Sequence, residues 1–179
     1  VFMIDPRYFS QTGPSPVDPD KPTCLGRTQW HWLLNGLKQS TAPFKLLATG
    51  MIWDDKKNRE KDDWNTYAHE REAIFDFIGE NKIGGVVLIG GDIHVSRHLK
   101  YPMKERIGYD LHQFIISPLH DRVIPSLNVP HPDLQWGEPL KNMFLTVTVD
   151  TTGDQPTLDA NWIDRTGKRH RHVRIELES

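Results

Sequence analysis

Residues 86–94, with the sequence VVLIGGDIH, decide the fold of this chain. A short run of β-branched and aliphatic residues that ends in a pair of glycines is typical of a central strand in a parallel sheet. Gly90 and Gly91 let the backbone turn closely, and Asp92 and His94 follow. Ligands of α/β sheets bind beyond the carboxyl ends of the strands. The stretch therefore predicts an α/β fold and a candidate site at this strand end.

Asp92 and His94 are the strongest candidate metal ligands in the sequence. Their spacing puts both side chains on the same side of an extended segment. A carboxylate and an imidazole together suit iron, zinc or manganese. The alternative is structural, with Asp92 capping a turn and His94 buried and hydrogen-bonded. The spacing alone leaves both interpretations open.

A second strand end carries similar chemistry. Asp5 and Arg7 come directly after the apolar residues 1–4. Arginine suits bidentate contact with phosphate, and a structural ion pair between Asp5 and Arg7 is the alternative. His98 and His120 lie near the glycine turn in sequence, so either could support the site.

Helices and strands alternate around these two strand ends. Apolar residues at helical spacing predict two amphipathic helices. They are Trp30, Leu33, Leu34 and Leu37 in the first helix, and Tyr67, Ile74, Phe77 and Ile78 in the second. Short apolar runs at 44–48 and 114–116 predict further strands. The charged and polar segment 54–63 predicts a solvated loop.

The last third of the chain has a different pattern. Residues 118–139 contain five prolines and no periodicity, which predicts a long loop. Apolar and polar residues then alternate in three segments, at 145–149, 158–162 and 173–177, with turn residues between them. This pattern predicts an antiparallel meander with one buried face. The basic residues between Arg165 and Arg174 are expected to form a solvated sheet edge.

The composition excludes several classes of protein. The 179 residues carry a formal net charge of −2, which argues against a general nucleic-acid binder or a membrane-surface protein. No stretch approaches the roughly 20 apolar residues of a membrane helix. The G-x-S-x-G, G-x-x-x-x-G-K-[ST] and G-x-G-x-x-G motifs are absent from the sequence. The one cysteine, Cys24, excludes an intrachain disulfide framework, and we expect it to be an unreactive thiol.

The beginning of the chain suggests missing sequence. Residues 1–4 are predicted to form a buried strand, and the chain has no initiator Met. The predicted strands are also too few for a self-sufficient sheet. We therefore expect the chain to be the C-terminal part of a longer polypeptide, with any targeting signal upstream.

Five motifs occur in a specific order along nearly the whole chain. They are DPRYF at 5–9, LGRTQWHWL at 25–33, DWNTY at 63–67 followed by Glu70 and Arg71, GGDIH at 90–94, and ISPL at 116–119. In this order and spacing, the chain resembles the C-terminal half of a PhoD-like alkaline phosphatase/phosphodiesterase. This family belongs to the calcineurin-like metallophosphoesterases.

The resemblance implies an α/β fold, specifically a metallophosphoesterase-like layered α/β/β/α sandwich with an appended antiparallel β-meander. Residues 1–143 would be the C-terminal half of the metallophosphoesterase domain, and residues 144–179 would complete the second sheet. It also implies a phosphate-ester substrate, iron and calcium as the metal ions (with zinc or manganese as alternatives), and a periplasmic or extracellular location. The missing N-terminal half of the same protein would be a partner of this chain.

The resemblance also implies roles for particular residues. Asp92 and His94 would bind metal, Asp5 would bind metal or support a ligand, and Arg7 would bind the substrate phosphate. Metal chemistry, rather than the resemblance, leads us to expect that a metal-bound hydroxide attacks phosphorus in line with the leaving alkoxide, and that His94 or His98 helps to protonate the leaving group.

The sequence departs from the family pattern at three places. Most of the family's metal ligands would lie before Val1. Many relatives have a ligand histidine after the strand at 44–48, and here only Asp54 could substitute for it. Pro6 stands where the family usually has Thr. The competing hypothesis is therefore a non-catalytic binding domain, or the inactive half of a two-part phosphoesterase, and metal analysis discriminates between the two.

Overall fold

The computed structural model describes residues 1–54 and 63–177. A six-stranded sheet contains β1 (Phe2–Ile4), β2 (Lys45–Thr49), β3 (Val86–Gly90), β4 (Ser96–Tyr101), β5 (Leu111–Ile115) and β6 (Leu134–Glu138). The α-helices are α1 (Pro6–Phe9), α2 (Gly26–Gln39), α3 (Ala68–Glu80) and α4 (Lys104–Ile107), and a 3₁₀ turn covers Pro125–Leu127. A three-stranded sheet contains β7 (Met143–Asp150), β8 (Thr157–Asp164) and β9 (Arg169–Glu176).

The six-stranded sheet is mixed, with strand order β1-β2-β3-β5-β4-β6. Strands β1, β2, β3 and β5 run parallel, and β4 pairs antiparallel with both β5 and β6. The position of β3 between β2 and β5 confirms the prediction of a central parallel strand. Its carboxyl end therefore lies beside the ends of β1 and β2, which brings the Asp5 and Asp92 segments to one edge of the sheet.

Two apolar clusters lie on opposite faces of this sheet. On one face, helices α2 and α3 pack against the strands through residues such as Leu33, Ile74 and Leu88. On the other face, the three-stranded sheet covers the strands, with Trp162 against Phe114. An α/β fold is thus present. A fourth, helical layer over the smaller sheet is not among the described residues, so the four-layer sandwich stays a prediction.

The meander at the end of the chain confirms its prediction. Strands β7, β8 and β9 pair in sequence order as antiparallel neighbours. The basic cluster falls on β9, which is an edge strand, and Arg169, His172 and Arg174 are exposed there. Charged side chains at this position discourage further strand pairing.

Two strands are not evident in the hydropathy pattern. Strand β4 contains polar residues, yet Arg97 is fully buried because its guanidinium donates to Asn128 Oδ1 at 2.7 Å and to the carbonyl of Val129 at 2.8 Å. Those acceptors come from the segment 118–139, which was expected to be loop throughout. The segment in fact contains β6, which pairs with β4. The predicted solvated loop at 54–63 lies mostly outside the described residues.

No helix in the described part of the chain is long and apolar enough to cross a bilayer.

Candidate functional site

The candidate site begins at the turn that ends β3. A Cβ atom at Gly90 would lie 2.7 Å from the carbonyl oxygen of Met51, so only glycine fits here without displacing the neighbouring backbone. A Cβ at Gly91 would lie 3.4 Å from the carbonyl oxygen of Ile116. The loops after β2 and β5 therefore approach the turn closely, and the two glycines allow it.

Asp92 and His94 both adopt left-handed backbone conformations, with φ of 75° and 55°. Such angles are uncommon for residues with a side chain, and they concentrate at functional sites. The Ile93 amide donates to the Gly91 carbonyl at 3.0 Å, and the His94 amide donates to Ser117 Oγ at 3.1 Å. The expectation of an extended segment was therefore wrong, because a hydrogen-bonded turn carries the two residues.

Arg7 reaches the site from the end of β1. Its Nη2 lies 3.1 Å from Oδ1 of Asp92, and the two side chains are 51% and 40% exposed. The structure thus brings two of the predicted site residues together, and the ion pair they form joins separate strand ends. Asp92 stays open to solvent, so its carboxylate can still accept a further ligand.

Asp5 has a structural position. Its Oδ1 accepts a hydrogen bond from the amide of Tyr8 at 3.0 Å and so caps helix α1. The main chain of Asp5 is held by the side-chain amide of Gln29, which accepts from Asp5 N and donates to Asp5 O. A metal-binding role for Asp5 stays a prediction, and so does the alternative ligand Asp54, which lies 3.5 Å from Nη1 of Arg71.

The His94 ring has a defined orientation. Its Nδ1 lies 2.8 Å from the carbonyl oxygen of Arg122. A carbonyl only accepts, so the neutral ring carries its proton on Nδ1 and presents the lone pair of Nε2. Metal-binding histidines are typically oriented by such a bond to the other nitrogen. The donor chemistry of His94 therefore fits a metal ligand.

The fit to a metal ion is partial. Asp92 and His94 offer one oxygen donor and one nitrogen donor at the same strand end. Within residues 1–54 and 63–177, no group of three or more His, Cys, Asp or Glu side chains could hold a metal ion. Asp92 and His94 alone are two donors, so a metal-binding role for them stays a prediction.

His98 lies between the two sheets. Its Nε2 is 3.0 Å from Nδ1 of His112, and its ring packs near Phe114 and Trp162. Burial lowers the pKa of His98 to about 3, with the neighbouring His112, Arg171 and Lys100 charges adding to the effect. The structure does not bring His98 to the Arg7–Asp92 pair, and its burial denies it the substrate contact that a proton donor needs.

We expect His98 to make stability pH-dependent. The folded protein keeps this ring neutral, whereas the unfolded chain binds a proton below about pH 6.5. Above about pH 6.5, this group therefore does not change the free energy of unfolding. As the pH drops from 6.5 toward 3, the free energy of unfolding falls by up to about 1.4 kcal/mol per pH unit. Urea unfolding of the wild type and of His98→Phe between pH 7 and pH 4 tests this. Equal pH slopes in the two proteins would contradict the assignment.

Cys24 is buried, and desolvation raises the pKa of its thiol strongly, with the charge of Glu70 adding to the shift. The same carboxylate accepts hydrogen bonds from the amides of Cys24 and Leu25 at the start of α2. A thiol that stays protonated is a poor nucleophile. The expectation of an unreactive cysteine is consistent with this environment.

Residues 117–124 complete the site. Besides Ser117, this loop contributes the main chain of Arg122 and the ring of His120, whose centroid lies 5.1 Å from that of His94. Sequence reasoning noted His120 only by its closeness in the chain and missed Ser117 and Arg122. The available signal was the ISPL motif, which marked this segment without showing its contacts.

Comparisons with known proteins show the family and the fold of this chain. A family model described as PhoD-like phosphatase matches residues 1–142. The alkaline phosphatase D of Bacillus subtilis (strain 168) is 33% identical over 81 residues, which cover 41% of this chain and 14% of that protein. A solved structure described as "Structure of PhoD" has a TM-score of 0.64 at 19% identity, covering 97% of this chain and 38% of that one. The chain thus spans well under half the length of these relatives.

Proposed function

This chain belongs to the PhoD-like phosphatase family, and from that membership we propose that it takes part in metal-dependent hydrolysis of phosphate mono- or diesters. The observation that carries the proposal is the Arg7–Asp92 ion pair beside His94 at the carboxyl end of the central strand. Ligand sites of α/β sheets lie at this position.

Asp92 and His94 are the residues that would hold a metal ion. Iron and calcium follow from the family resemblance, and zinc or manganese would also accept these donors. Bound metal ions would supply an activated water and neutralise charge on the phosphoryl oxygens. The Nδ1 bond to the Arg122 carbonyl would keep His94 in the binding orientation throughout.

Arg7 would bind the substrate phosphate. A guanidinium has several donors in a fixed plane, so Arg7 can contact a phosphoryl oxygen while it keeps its bond to Asp92. Its half-exposed side chain is accessible to a ligand. Fixed positive charge at this place would stabilise the charge that develops on the phosphoryl oxygens.

The rest of the site would come from further sequence. We propose that additional metal ligands, and the remaining layers of an α/β/β/α sandwich, are supplied by the rest of the polypeptide. Export to the periplasm or the cell exterior belongs to the same proposal, and it is supported only by the family resemblance.

Metal analysis of the full-length protein tests the proposal. We expect metal bound in stoichiometric amount, and its loss in His94→Ala. Chelation should abolish hydrolysis of a nitrophenyl phosphodiester, and added metal should restore it. His31→Ala, which changes an exposed histidine of α2, is the matched control. A folded, metal-free wild type would instead support a non-catalytic binding domain.

A further inference from the structure

The main chain of Arg122 contacts both imidazoles of the site. Its carbonyl oxygen accepts from Nδ1 of His94 at 2.8 Å, and its amide donates to Nδ1 of His120 at 3.0 Å. An amide only donates, so Nδ1 of His120 is the acceptor and the neutral ring carries its proton on Nε2. The two rings therefore hold opposite tautomers.

Because their tautomers are opposite, the two rings offer different groups to a ligand. His94 presents a lone pair at Nε2, as a metal ligand does, whereas His120 presents an N–H group. Neither Nε2 has a hydrogen-bond partner among residues 1–54 and 63–177. His120 is exposed, so its N–H group is accessible to a ligand in solution.

The loop that carries His120 is anchored at several points. The carbonyl of His120 accepts from the Asn142 amide at 2.8 Å, and the carbonyl of Pro118 accepts from the Met143 amide at 2.9 Å. The amide of Ile124 donates to the carbonyl of His94 at 3.4 Å. These bonds tie the backbone of the loop to the β3 turn and to β7. They hold the main chain of His120 at the site, where its ring centroid lies 5.1 Å from that of His94.

Two arginine residues belong to the same site. Arg122 is exposed, and its guanidinium has no ion-pair partner in the described part of the chain. Arg7 supplies a second guanidinium, which pairs with Asp92. An N–H donor in a site that also contains arginine side chains suits the oxygen atoms of a phosphate.

From these contacts we propose that His120 is a substrate-binding residue that donates its Nε2 proton in a hydrogen bond to a phosphoryl oxygen of the ester. The inference rests on the proposed phosphoesterase function and adds a specific contact to it. The proton stays on the ring, so the contact needs no change of charge.

The tautomers can be measured directly. In the full-length protein labelled with ¹⁵N at its histidines, long-range ¹H–¹⁵N spectra should show His94 protonated at Nδ1 and His120 protonated at Nε2. Addition of inorganic phosphate should shift the Nε2 resonance of His120. A His120 ring protonated at Nδ1, or an Nε2 resonance that phosphate leaves unchanged, overturns the proposal.

Two variants of His120 distinguish the loss of its Nε2 donor from the loss of its bond to the Arg122 amide. In His120→Asn, the shorter amide can still accept from the Arg122 amide, as in an Asx turn, but the Nε2 donor is gone. In His120→Gln, the amide nitrogen can reach about the position of Nε2. We expect the Asn variant to bind inorganic phosphate about tenfold more weakly than the wild type. The Gln variant should stay within about threefold.

Equal phosphate affinity in the wild type and His120→Asn would overturn the role of His120. Failure of the phosphoesterase function would show up differently, as a folded, metal-free wild type that does not hydrolyse a nitrophenyl phosphodiester. The phosphate titration needs no turnover, so it decides on His120 in either case.

Discussion

Replacing Asp92 by Asn in the full-length protein is expected to lower kcat/KM for a nitrophenyl phosphodiester by about 10³-fold or more. The amide has nearly the same shape as the carboxylate, but it lacks the charge that would hold a metal ion. It also lacks the charge that pairs with Arg7 at 3.1 Å. Steady-state kinetics together with metal content measures both losses in one protein.

The matched control for this variant is Asp154→Asn. Asp154 is an exposed carboxylate in the turn between β7 and β8, and its replacement removes the same charge without touching the Arg7 pair. We expect Asp154→Asn to keep metal content and to change kcat/KM less than about threefold. Wild-type rates in Asp92→Asn would exclude the proposed catalytic site.

Replacing Trp162 by Ala is expected to cost about 3–5 kcal/mol of unfolding free energy. Trp162 is fully buried between the sheets, where its ring lies 5.1 Å from that of Phe114 and 5.7 Å from that of Trp136. Its Nε1 donates to the carbonyl of Ile115 at 3.0 Å. The smaller side chain would leave a cavity in the inter-sheet core and remove the donor to the Ile115 carbonyl.

Urea unfolding followed by far-UV circular dichroism measures this effect. Trp32→Ala is the control, because Trp32 is 48% exposed on α2 and contacts Phe2 at the edge of the sheet. We expect its cost to stay near 1 kcal/mol. Similar losses in the two variants would show that Trp162 does not hold the sheets together.

Hydropathy predicts the strand segments whose buried positions are all occupied by apolar residues. Residues 86–89 and the alternating segments of the meander belong to this group, because burial there selects Val, Ile and Leu. Strand β4 escaped prediction because Arg97 and His98 are buried through hydrogen bonds rather than apolar character. The hydropathy pattern does not predict strand β6 either, because prolines flank it and it pairs with β4.

The candidate site follows a similar division. The residue types of Asp92, His94 and Arg7 indicated the chemistry from sequence alone, and the topology brought Arg7 to Asp92. Their pairing was not predictable, because it depends on which strand ends become neighbours. The left-handed turn and the contacts of Arg122 are likewise set by backbone geometry, for which a hydropathy pattern carries no signal.

Arg122 orients the two imidazoles through its backbone carbonyl and amide groups. Its side chain takes no part in either bond, so a substitution at position 122 would leave the protons on the two rings in their places. Proline is the exception, because it has no amide hydrogen to give to His120. The backbone of residue 122 therefore orients both rings independently of its guanidinium.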